Sequence, residues 1–145
     1  YLCHLVLGVG LSLAPIGAFL AVTGHFHFLP ILFSLAVLFW VSGFDVIYAL
    51  QDAEFDQSQK LYSIPSFLGK VKGLLVSEFL HLFAAICIAI AGVYGNFSFY
   101  YWIGALIFCS LLLYQHSIVS AEDLSKVNIA FMTTNGMASI VFSMF

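Results

Sequence analysis

Seven acidic residues occur in 145, and four of them fall in the stretch FWVSGFDVIYALQDAEFDQSQKLYSIP, residues 39–65: Asp45, Asp52, Glu54 and Asp56. On a helix advancing about 100° per residue, Tyr48, Asp52 and Asp56 fall within about 60° of Asp45, and Glu54 falls on the opposite face. D-x-x-Y-x-x-x-D-x-x-x-D is then one stripe of three carboxylates and a phenol. Like charges at this spacing repel, and holding them beside a membrane is costly unless something compensates. A divalent cation does so. Hard oxygen ligands one turn apart suit Mg²⁺, which takes one or two protein carboxylates and leaves other positions to water and phosphate. The bland alternative is a set of solvated helix-end acids, and the stripe with its interposed Tyr48 argues against it. An ion-coupled transporter would place its acids near mid-membrane, with helices broken by Gly or Pro there. Here the acids cluster at a span end, and Pro15 and Pro30 lie elsewhere.

The elements that carry this stripe are set by composition. Hydrophobic residues make up 63% of the chain and charged residues 8%, with a mean hydropathy of +1.08. A soluble domain of this length has no interior able to take so much apolar side chain. An all-α polytopic membrane helix bundle is expected, forming a single membrane domain over 1–145. Windows of about 20 apolar residues place spans at about 2–23, 28–50, 73–94, 98–117 and 128–145. Cys3, Cys87 and Cys109 stand singly in apolar runs, which reads as core packing. No charged n-region precedes the first apolar run, so no signal peptide is read there. The chain begins and ends inside hydrophobic segments, as expected of a piece of a longer protein.

The connections near 24–27 and 95–97 carry no Lys or Arg, whereas 51–72 and 118–127 hold Lys60, Lys70, Lys72 and Lys126. Alternating crossings put the two basic loops on one side, which the positive-inside rule makes cytoplasmic. Every acid maps to that same mouth. Lys70 and Lys72 read as topology anchors. Tyr94, Tyr100, Tyr101 and Trp102 read as an aromatic belt at the other side. Ser120 to Asp123 reads as a relaxed capping box opening a short helix. Glu78-x-x-His81 has half a di-iron spacing and no second copy, so it reads, like His116, as a polar contact at the mouth.

GFDVIYALQDAEFD followed by SIPSFLG resembles the second aspartate-rich motif of the UbiA superfamily of intramembrane aromatic prenyltransferases. Gly43, Asp45, Ile47, Tyr48, Ala49, Asp52, Asp56 and Ser63 match that pattern. LVLGVGLSLAPIGAFLAV, YQHS and IAFMTTNG resemble flanking spans of the family. Two departures stand out: Lys60 lies where the family usually has Gly, and Tyr62 where it has a basic residue. The family's first motif, N-D-x-x-D-x-x-x-D, does not occur. The resemblance thus implies the C-terminal half of a nine-helix bundle, inactive by itself.

It further implies an enzyme, a polyprenyltransferase acting with Mg²⁺ on a polyprenyl diphosphate and an aromatic acid. The hydroxybenzoate and hydroxynaphthoate branches of quinone (ubiquinone or menaquinone) biosynthesis are nearest. In that frame Asp52 and Asp56 are metal ligands, and Tyr48 faces an allylic cation. Asp45 faces the aromatic acceptor, or equally pairs with a residue outside this chain. Lys60, Ser63 and Asn135 contact substrate. A bacterial-type cell membrane is the expected location, the lipid bilayer and the other half of the bundle the expected partners, and a cation-coupled transporter or channel half the rival function.

Overall fold

The structure, a computed structural model, describes residues 2–144, with side chains described except at 131, 134 and 141–144. The chain is helical throughout, and no strand occurs among the described residues. The long helices are α1 (Cys3–Thr23), α2 (Phe28–Ala49), α5 (Lys70–Tyr94) and α6 (Phe99–Ile118), with α3 (Ala53–Ser58) and α4 (Ile64–Leu68) as short helices between α2 and α5. All four long helices are long and apolar enough to cross a membrane, within a residue or so of the expected spans except that α5 starts three residues earlier.

The expected fifth span takes a different form. After two helical residues the chain enters a π-helical segment, Ile129–Thr134, and continues as α7 (Asn135–Met144). No uninterrupted α-helix of spanning length forms there; the final expected residue, Phe145, lies outside the described residues. The helix expected from Ser120 does not form either. Ser120 Oγ accepts from the Asp123 amide at 2.9 Å, and Asp123 Oδ1 accepts from the Ser125 amide at 3.0 Å. The chain there is bends and turns. The Ser125 bonds also hold the Asp123 carboxyl below its usual range.

Between lipid-facing helices there is no hydrophobic gain on contact, so close packing of small residues decides which helices touch. α2 lies between α1 and α5. A Cβ at Gly8 would fall 2.3 Å from Ser42 Oγ, and one at Gly43 would fall 2.4 Å from the His81 ring. Ser77 Oγ donates to the Gly43 carbonyl at 2.7 Å, sealing the second contact. A core of Ala36, Cys87, Ile88, Tyr101, Ala105, Phe108, Leu112 and Ala138 fills the middle of the bundle. Tyr101 belongs to this core, not to an exposed aromatic belt: it is buried, and its hydroxyl donates to the Ile88 carbonyl at 2.8 Å.

A second cluster joins Ile47 and Leu50, at the end of α2, to Val119, Val127 and Ala130. It brings both polar connections to one end of the bundle, where the acidic residues gather.

Candidate active site at the mouth of the bundle

The acid-bearing segment is not one continuous helix. After Ala49 the amides of Leu50, Gln51 and Asp52 bond three residues back, to Ile47, Tyr48 and Ala49, at 3.2 to 3.3 Å. Such a tightened turn advances about 120° per residue, against about 100° in an α-helix. The stripe expected for Asp45, Tyr48, Asp52 and Asp56 is therefore broken at 50–52. Asp52 becomes the residue that opens α3.

Asp52 and Asp56 do stay together. The Asp56 amide donates to the Asp52 carbonyl at 2.7 Å, which keeps the two residues one turn of backbone apart. Asp52 is exposed and Asp56 half-buried. Ser63 Oγ donates to Asp56 Oδ2 at 2.7 Å. Ser63 is held in turn by a reciprocal cap on α4, accepting from the Ser66 amide at 3.2 Å while Ser66 Oγ accepts from the Ser63 amide at 2.8 Å. Glu54 leaves the group: Lys70 Nζ donates to it at 2.7 Å, and that bond holds the Glu54 carboxyl below its usual range.

Asp45 lies deeper and has a partner that the sequence reading did not single out. His4 Nδ1 is 2.6 Å from Asp45 Oδ2. His4 is buried, at 4% exposure, in the first turn of α1. A signal for the pair was present: His4 and Asp45 stand nearly equal distances either side of the 24–27 turn, so antiparallel spans bring them to one depth. Tyr48 follows one turn later and is 40% exposed. Lys60 is exposed, with its backbone in the left-handed region at φ 56°.

Asn135 lies away from the acids, deeper in the bundle, where the π-helical segment delivers it beside α2. Trp40 Nε1 donates to its Oδ1 at 3.3 Å. Its buried Nδ2 has no partner among the described residues. The two residues share a groove of about 640 Å³, together with Leu11, Val37, Phe44 and Gly136. Pro15, Val37 and Trp40 also line an apolar cavity of about 410 Å³ that reaches Phe19 and Leu29. Apolar space thus runs from Phe44, beside Asp45, toward the far end of the bundle.

His81 and His116 form a separate pair. His81 Nε2–H donates to the Trp40 carbonyl at 3.3 Å, so its Nδ1 accepts from His116 Nε2–H at 2.8 Å. This agrees with a polar contact and leaves Glu78 exposed beside them. Among the described residues, no group of three or more His, Cys, Asp or Glu side chains is placed to hold a metal.

Comparison with known proteins bears on this arrangement. The family model of the UbiA prenyltransferase family matches residues 1–137. A 4-hydroxybenzoate octaprenyltransferase of Francisella tularensis subsp. novicida (strain U112) is 28% identical over 144 residues, covering 97% of this chain and 49% of the relative. One from Francisella tularensis subsp. mediasiatica (strain FSC147) is 30% identical over 115 residues, 78% of this chain and 39% of the relative. One from Coxiella burnetii (strain Dugway 5J108-111) is 25% identical over 142 residues, 98% of this chain and 49% of the relative. The chain spans about half the length of the curated relatives it matches most fully. No solved structure matches it significantly.

Proposed function

The chain belongs to the UbiA prenyltransferase family, and on that premise we propose that the protein it represents transfers a polyprenyl group from an allylic diphosphate to an aromatic acid in quinone biosynthesis. The observation that carries the reading is a juxtaposition. A pair of carboxylates one helical turn apart, Asp52 and Asp56, stands at the mouth of a bundle with apolar space beneath it. The relatives' names supply the acceptor class, and their greater length supplies the rest of the bundle.

The donor set suits Mg²⁺. Asp52 is exposed and Asp56 has one oxygen committed to Ser63, which leaves hard oxygen ligands and room for water and phosphate. When bound, the ion neutralises the diphosphate and makes it a competent leaving group. Asp52 and Asp56 would hold it, and a second carboxylate motif would come from the half of the relatives' length that this chain does not match. Ser63, fixed by its cap and bonded to Asp56, would meet phosphate oxygens, and Lys60, exposed four residues after Asp56, would add a positive charge. The allylic C–O bond breaks with its electron pair on the diphosphate oxygen. Tyr48, one turn from Asp45, turns an electron-rich face to the resulting carbocation, an interaction of about 0.5–2 kcal/mol when water is excluded. A ring carbon of the acceptor forms the new C–C bond, and Asp45 takes the ring proton or orients the ring that loses it. The polyprenyl tail lies in the apolar space below Phe44, with Asn135 at its side. All four Lys lie in segments that reach the acidic end, so that end faces the cytoplasm.

The test uses the full-length protein with Mg²⁺, a polyprenyl diphosphate and a hydroxylated aromatic acid, with diphosphate release as the readout. Asp52→Ala and Asp56→Ala each lower release about 10³-fold or more, equivalent to about 4 kcal/mol of barrier. Manganese titration followed by electron paramagnetic resonance, in the presence of diphosphate, loses a bound ion in the same variants. Retained turnover in both variants refutes the assignment of the metal ligands. Ion-gradient-driven uptake without covalent product refutes the enzyme.

A further inference from the structure

We propose that His4 is a positioning residue for Asp45, and that the Ser63–Ile64 dipeptide sets the two functional carboxylates of the mouth together. This rests on the reading of Asp45 as the carboxylate that faces the acceptor.

The hydrogen-bond network fixes the imidazole. The Ile64 amide donates to His4 Nε2 at 3.3 Å. A backbone N–H is only a donor, so Nε2 carries no proton and the ring is neutral, with its proton on Nδ1. Nδ1–H then donates to Asp45 Oδ2 at 2.6 Å. Ser42 Oγ donates to the His4 carbonyl at 3.1 Å, which pins the backbone of this turn to α2. His4 is thereby held by two elements, by α2 through Ser42 and Asp45 and by the start of α4 through Ile64.

Asp45 retains one oxygen, Oδ1, with no hydrogen bond among the described residues. Its side chain is 25% exposed, enough to meet a ligand and too little to be freely solvated. An aspartate fixed at one oxygen presents the other in a single direction, which is what orienting an aromatic acceptor requires. The same loop reaches the second carboxylate one residue earlier, where Ser63 Oγ donates to Asp56 Oδ2 at 2.7 Å. One peptide unit therefore spaces the acceptor carboxylate from the carboxylate proposed to hold the cation. The reciprocal Ser63–Ser66 cap and the buried Pro65 make that unit stiff.

The experiment compares His4→Leu, His4→Gln and His4→Asn in the full-length protein. Glutamine is expected to reproduce both contacts, its amide NH₂ donating to Asp45 and its oxygen accepting from Ile64. His4→Leu is expected to lower kcat/KM for the aromatic acceptor by about tenfold, the loss of one hydrogen bond to a charged group. KM for the polyprenyl diphosphate is expected to stay within about twofold, and His4→Gln to recover most of the loss. In an Asp45→Asn background, His4→Leu adds little, because the residue it acts through is already altered. Amide exchange in the peptide containing Ile64, measured without substrate, is faster in His4→Leu and unchanged in His4→Gln.

Equal losses in the Leu and Gln variants, or effects that multiply in the double variant, overturn the proposal. Should His4→Leu fail to fold, His4→Asn decides: its amide overlays Nδ1 alone, so faster Ile64 exchange with acceptor kinetics near wild type upholds the geometry. Slow Ile64 exchange in that variant overturns it. A parent protein without prenyl transfer ends the assigned reaction and His4's part in it, whereas unchanged Ile64 exchange in the Leu or Asn variant ends the His4 geometry and leaves the reaction standing.

Discussion

The mouth of the bundle and the groove below it treat polar atoms in opposite ways. At the mouth, Asp45, Glu54 and Asp56 each receive a donor from this chain: His4, Lys70 and Ser63. In the groove, Asn135 Nδ2 is buried without a partner among the described residues, as is Ser34 Oγ farther along α2. A buried polar atom left unpaired costs about 1–3 kcal/mol. At the mouth the chain's own side chains thus engage three of the carboxylates, while His116 Nδ1 is buried there without a partner among the described residues. Asn135 Nδ2, in the groove, is thus left as a spare donor.

A pair of glycine substitutions breaks this contrast most forcefully. A Cβ at Gly43 would meet the His81 ring at 2.4 Å, with Ser77 bonded to the Gly43 carbonyl on the same face. Gly43→Leu is expected to destabilise the protein by about 3 kcal/mol, as overpacking of a tight contact does, and to displace Asp45 two residues on. A Cβ at Gly136, in the groove, meets nothing within 4 Å. Gly136→Ala is expected to gain about 0.5–1 kcal/mol from helix propensity while raising KM for long polyprenyl diphosphates. Thermal unfolding in detergent checks the first expectation and chain-length kinetics the second. Similar stability losses at both positions would mean that the groove is packed as tightly as the mouth.

Asn135 sharpens the comparison with a smaller effect. Its Oδ1 is used by Trp40, and its Nδ2 is spare. Asn135→Leu orphans the Trp40 N–H, for a stability cost of about 1 kcal/mol. If the spare Nδ2 serves substrate, turnover falls about tenfold as well, and Asn135→Asp, which keeps the acceptor for Trp40 and loses the donor, reproduces the kinetic loss. Normal turnover in both variants would assign the amide to helix packing alone.

The fold was largely legible because a run of about 20 apolar residues has few alternatives to a spanning helix. Residue types marked the long helices to within a few positions and set Asp52 and Asp56 one turn apart, while Ser63 came from the resemblance to the family motif. Single-helix periodicity failed wherever tertiary contacts retuned the backbone. Nothing in Leu50-Gln51-Asp52 announces a tightened turn, and nothing in IAFMTT announces a π segment. Periodicity within one span also carries no information about its neighbour. His4 looked like one polar residue in an apolar run until the hairpin brought it to Asp45. Tyr101 looked like its exposed neighbours because an aromatic near a span end fits either a belt or a core, and only packing against Ile88 decides. The Ser120 motif did supply its hydrogen bond, but the chain stays in bends and turns until Val127, where the buried face that packs on Ile47 and Leu50 begins.

The finest test lies at Lys60, where the two roles of one residue separate. The Leu61 amide bonds back to the Asp56 carbonyl at 2.8 Å and the Lys60 amide to Gln57 at 3.2 Å, the paired bonds of a helix end whose closing residue is left-handed. α5 ends in the same way, with Asn96 at φ 49° in the equivalent position. A lysine held at φ 56° is strained by its Cβ, so Lys60→Gly is expected to stabilise the protein by about 0.5–1 kcal/mol. If the charge serves the diphosphate, the same variant raises KM for the donor about fivefold, while Lys60→Arg restores KM and keeps the strain. A stability gain with unchanged KM would make Lys60 a closing residue and nothing more, leaving Ser63 to meet the phosphate from this side of the mouth.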